Sequence, residues 1–65
     1  MSNKGRIVFV LRRALAALGG RFVPKGTVVR ETASDDQTRT FQTDGHTIVV
    51  ERGSAAEGSI QEKRD

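Results

Sequence analysis

His46 is the only histidine in this chain of 65 residues, and there is no cysteine. An imidazole beside a carboxylate can serve as general acid or base, and Asp44 and Glu51 are the carboxylates nearest to it in sequence. A site of that kind acting on RNA would also need a cation for the phosphate, which Arg39 or Arg52 could supply. A polar residue next to a tight turn needs no catalytic role, however, and nothing else in the chain argues for an enzyme. No serine or threonine stands in a nucleophile elbow or phosphate-loop context. Gly19, Gly20 and Gly26 lie near Lys25, but a phosphate cradle leads from glycine-rich backbone into a helix start, and that order is missing. Asp35, Asp36 and Asp44 lack the alternate spacing and closing glutamate of a calcium loop, and His46 has no second nitrogen or sulfur ligand. The expectation is a binding protein without metal or cofactor.

Charge carries the stronger signal. Lysine and arginine total 11 against 8 acids, but the excess is unevenly placed. Residues 1–30 carry Lys4, Arg6, Arg12, Arg13, Arg21, Lys25 and Arg30 with no acid, a sum of +7. Residues 31–65 hold all eight acids against Arg39, Arg52, Lys63 and Arg64, a sum of −4. Such a division suggests a half that faces a polyanion. Two blander causes compete: a GC-rich genome enriches arginine over lysine, and the two halves could attract each other. Read as a ligand surface, the seven cations would track phosphates, whose neutralisation and counterion release supply most non-specific nucleic-acid affinity. Single-strand platforms rely on aromatic stacking, and three phenylalanines with no tryptophan or tyrosine are a poor supply. Duplex is therefore favoured, for an accessory or regulatory nucleic-acid-associated protein.

The alternative is a protein-binding adaptor or inhibitor, of the size mobile elements use to dock on a larger host protein. Its contacts would be Phe9, Arg12, Arg13 and Ala16, since aromatic residues and arginine are enriched at interface hot spots. A membrane surface ranks third, because the apolar side of the segment is needed for a core.

These side chains must be positioned by a few short elements. Residues 6–18, RIVFVLRRALAAL, place Ile7, Val8, Leu11, Ala14, Leu15 and Leu18 on one stripe of a helical wheel, with Phe9, Arg12, Arg13 and Ala16 opposite. Gly19-Gly20 would end that helix. The competing interpretation makes residues 6–11 a buried strand with Arg12-Arg13 as a bend, since Ile, Val and Phe favour strands. Pro24 and Gly26 suggest a turn at the second and fourth positions. Thr27 to Glu31 reads as a short strand, and residues 32–37 as a polar loop. Thr38 to Arg52 forms a hairpin over Asp44-Gly45, which pairs Thr43 with His46, Phe41 with Ile48 and Arg39 with Val50. Phe41, Ile48 and Val50 then share a buried face.

The expected fold is α+β: an N-terminal amphipathic helix packed on a three-stranded antiparallel meander. Residues 1–52 would form the single small domain and 53–65 a flexible, disordered tail. A chain below roughly 70 residues without a staple is expected to lean on assembly, hence a homodimer. The longest apolar run, Ile7 to Leu11, is far short of the roughly 20 residues a membrane span needs. Lys4 and Arg6 before an apolar run resemble a secretory leader only faintly, because two arginines interrupt it, so the expected location is cytoplasmic.

Overall fold

The computed structural model describes residues 7–64. Of these, 57% are in strands and 7% are helical, so the expected helix on a three-stranded meander is not formed. The segment Ile7–Leu11 is strand β1. Its β-branched and aromatic side chains lose rotamer freedom on a helix and pack well on a pleated surface. Phe9 and Leu11 point inward and are buried, while Val8 and Val10 are half-buried on the other face, an alternation of period two. Arg12 and Arg13 make the bend that the competing interpretation allowed.

The Ala- and Leu-rich stretch that follows does not shrink to a short helix. It becomes a two-stranded hairpin, β2 (Leu15–Ala16) and β3 (Phe22–Val23), pairing Leu15 with Val23 and Ala16 with Phe22. Gly19 and Gly20 adopt φ of +92° and +89°, and the Gly20 amide donates to the Ala17 carbonyl at 3.2 Å. The glycines expected to stop a helix instead turn a hairpin, because both tasks use the same left-handed backbone. The next turn is shifted by one residue from expectation: the Thr27 amide donates to the Pro24 carbonyl at 3.3 Å, placing Gly26 third with φ +90°.

Strand β4 (Val28–Ser34) runs further than expected, through Thr32 to Ser34, and leaves only residues 35–37 as a turn. Asp35 closes that turn by accepting the Gln37 and Thr38 amides at 2.8 and 2.7 Å. β5 (Thr38–Thr43) and β6 (His46–Glu51) pair in the expected register, Thr43 with His46, Phe41 with Ile48 and Arg39 with Val50. Gly45 takes φ +73° but Asp44 stays negative, so the turn does not need two left-handed residues.

The expected tail is structured as well. Residues Ala55–Gly58 form a single helical turn, α1, and Ile60–Arg64 form β7, which pairs antiparallel with the whole of β1. Ser54 caps α1 by accepting the Glu57 amide at 3.2 Å.

The strands form one antiparallel sheet in the order β6-β5-β4-β1-β7, with β2-β3 as a separate ribbon. β4 belongs to two halves of that sheet. Its Val28 and Val29 pair with β1, whereas Arg30 to Ser34 pair with β5 across an irregularity between Glu31 and Ala33. A strand that changes partner along its length, with a bulge at the change, bends the sheet. Both halves therefore close over one core: Phe9 and Leu11 from β1, Val29 from β4, Phe41 from β5, and Ile48 and Val50 from β6. The ribbon adds Leu15, Ala17 and Val23. No helix among the described residues is long and apolar enough to cross a membrane.

Candidate nucleic-acid interface

Arg39 is the cation the fold uses for itself. It sits on the inward side of β5, two residues before Phe41, where the bent sheet opens beside α1. Its Nε and Nη2 donate to the two carboxylate oxygens of Glu31 at 2.8 and 3.1 Å, and Nη1 donates to Glu57 at 3.0 Å. The guanidinium carbon lies 5.4 Å from the Phe9 ring centre and 5.0 Å from that of Phe41. Those rings meet edge to face at 5.2 Å. A planar fork bidentate on one carboxylate and stacked on aromatics is a task for arginine rather than lysine. Arg39 holds the Glu31 carboxyl below its ordinary range. The Gly53 amide and then Arg39 do the same for Glu57.

Sequence reasoning missed this cluster and offered Arg39 as a phosphate ligand beside His46. The available signal was Ser54-Ala55-Ala56-Glu57, a capping-box pattern, read as part of a tail. Arg39 is committed to two carboxylates, and Arg52, whose Nε donates to the Asp35 carbonyl at 2.7 Å, lies six residues along the extended chain from His46, about 20 Å. Arg39 is also four residues along β5 from the partner of His46, about 13 Å. The ribonuclease constellation is not assembled.

The cations of the first half are placed differently. Arg12, Arg13, Arg21, Lys25 and Arg30 are exposed, and among the described residues none of them forms an ion pair with a carboxylate. Backbone bonds set three of them side by side. The Gly26 amide donates to the Leu11 carbonyl at 2.8 Å, and the Leu11 amide to the Thr27 carbonyl at 3.0 Å. This brings the Lys25 turn against the start of the Arg12-Arg13 bend. On the other side, the Arg12 amide donates to the Ser59 carbonyl at 2.6 Å. The bend is thus stitched to both neighbours of β1, and its side chains are left to solvent.

Arg21 stands at the tip of the ribbon, where its carbonyl accepts the Ala17 amide at 2.6 Å. Arg30 is set apart on the outer face of β4, lining a shallow polar depression with Gln42 and Asp44. Lys4 and Arg6 lie outside the described residues.

The proposed protein contacts divide. Arg12, Arg13 and Ala16 are exposed, but Phe9 is in the core with 8% of its surface accessible. The exposed ring is Phe22, at 70%. The helical wheel put Phe9 outside, and the period-two backbone of β1 turns it inward.

The fold and its free charges define a class, a small antiparallel β module with one basic, loop-built end. No family of known proteins, no curated protein and no solved structure matches the chain closely enough to carry that description further.

Proposed function

We propose that this chain is a small nucleic-acid-associated binding protein, accessory or regulatory in role, that contacts phosphates through Arg12, Arg13, Arg21 and Lys25. The observation that carries it is that, among the described residues, Arg12, Arg13, Arg21, Lys25 and Arg30 form no ion pair. The acids of the second half are partly occupied at home: Glu31 and Glu57 hold Arg39, and Asp35 holds its own turn. Attraction between the two halves therefore does not account for the charge division among the described side chains. β4 separates Lys25 from the Asp35-Asp36 turn by seven residues of strand, about 23 Å. A polyanion approaching the Lys25 end meets cations without meeting that acidic turn. Self-association and a cytoplasmic location go with this reading, the first because a chain of this size without disulfides has few other supports.

The test is fluorescence anisotropy of a labelled oligonucleotide at low salt. Binding that weakens at least tenfold in Arg12→Glu/Arg13→Glu, and that falls steeply with added salt, is the expected result. Retained binding in that variant removes the proposal. The adaptor reading keeps Arg12, Arg13 and Ala16 as exposed contacts but loses Phe9. It predicts instead salt-tolerant capture of one protein partner.

A further inference from the structure

The outward side of the β2-β3 ribbon is an apolar strip. Ala14, Ala16, Leu18, Phe22 and Pro24 are all exposed, and Leu15, Ala17 and Val23 occupy the inward side. Ala16 is the cross-strand partner of Phe22, and Gly20 and Pro24 lie two residues either side of it along the chain. Small neighbours leave the ring uncovered. Arg21 precedes it, Lys25 follows the proline, and Arg12-Arg13 lead into the ribbon, so the charged residues flanking the ring along the chain are all basic.

Resting on the phosphate-contact reading above, we infer that Phe22 is a base-stacking platform and that the ligand is single-stranded nucleic acid. An open aromatic face beside cations that track a backbone is how single strands are held without sequence preference. In a duplex, by contrast, the base faces are already stacked on one another. The preference for duplex drawn from composition rested on the small supply of aromatic residues, and Phe22 shows that one of the three rings stands open. A protein partner fits the same strip less well. Stable interfaces bury about 800 Å² on each side, far more than one ribbon with a single large ring presents. The exposed cations that flank the ribbon, Arg12, Arg13, Arg21 and Lys25, also favour a polyanion.

The discriminating experiment compares a labelled dT12 strand with the same strand paired to dA12, at one low salt concentration, using the full chain. The expected result is tighter binding of the single strand. Phe22→Ala should weaken that binding about tenfold or more and leave the duplex affinity within twofold. The chain contains no tryptophan, so Phe22→Trp introduces a single reporter. Its emission should be quenched by the single strand and not by the duplex. Phe22 is mostly exposed, so both variants should keep the circular dichroism spectrum of the parent.

If Phe22→Ala leaves single-strand binding unchanged, or weakens both ligands equally, the stacking role is overturned while phosphate contact stands. If neither ligand binds at low salt, the phosphate reading itself has failed, and the stacking role with it. If neither binds and Phe22→Ala abolishes self-association seen by light scattering, the ring belongs to a protein interface, which also overturns the inference.

Discussion

Arg39 concentrates more interactions than any other polar side chain described here, tying β4, β5 and α1 together while covering the Phe9 and Phe41 rings. Removing it leaves the Glu31 carboxylate half-buried without its partner, and that asymmetry is more costly than the net worth of the pair. The site is partly solvated, which reduces the cost. Arg39→Ala should therefore destabilise the fold by about 2 kcal/mol, read from urea midpoints. Arg39→Lys should recover only part of this, because an ammonium cannot form the fork. The same contacts fix a dependence on acid. The folded carboxyls of Glu31, Glu57 and Asp35 are lowered, so the unfolded chain binds more protons as the pH falls. Their contribution is complete above the ordinary carboxylate range and is lost as pH drops through the lowered folded values. Urea midpoints measured from pH 6 to pH 3 should fall, and fall less steeply in Arg39→Ala. The slope remaining there comes from Asp35, held by the Thr38 and Gln37 amides, and from Glu57, held by the Gly53 amide.

The hairpin of β5 and β6 was legible in the sequence because its signals agree. Alternation, a two-residue turn and a glycine at the turn all demand one register, and that register is found. Residues 6–18 were not legible because their signals conflict. Leu15, Ala16 and Ala17 favour helix by propensity, but β1 can pair on both sides, with β4 and with β7, and tertiary pairing outweighs a few tenths of a kcal/mol per residue. The partner that tips the balance, β7, comes from Ile60-Gln61-Glu62-Lys63-Arg64, polar enough to read as solvated tail. An edge strand rich in charge is what keeps a sheet from pairing with further chains, so its polarity is compatible with strand. The basic end was legible as charge but not as shape, since the hydrogen bonds that gather Arg12, Arg13 and Lys25 join residues distant in sequence.

Two outcomes follow at this scale. A chain ending at Arg52 loses Glu57 and the whole of β7, and it should show no cooperative urea transition. Gly45→Ala should cost about 1 kcal/mol through backbone strain alone, since φ is +73° and a methyl group there would meet no atom within 4 Å. Urea titration reads both.

Across the whole molecule, charge that holds the fold together and charge that stays free belong to different groups of residues. Glu31, Arg39 and Glu57 clasp the open end of the bent sheet, while Arg12, Arg13, Arg21 and Lys25 ring the β2-β3 ribbon and its connections. If those four meet phosphates of a single strand, log affinity against log salt should have a slope near −2.8. Arg12→Glu/Arg13→Glu should flatten it by about 1.4 or more. Arg39→Ala should leave the slope unchanged at a temperature where that variant remains folded, because Arg39 is spent inside the fold. A common slope for all three proteins would mean that the free cations contribute nothing to binding.

The most direct measurement is a titration of the ¹⁵N-labelled chain with dT12, following each backbone amide by NMR. The account predicts chemical-shift changes concentrated at residues 12–16 and 20–26, with the Asp35-Asp36 turn and residues around Arg52 undisturbed. Changes centred on that acidic turn, or no change at any amide at low salt, would contradict it.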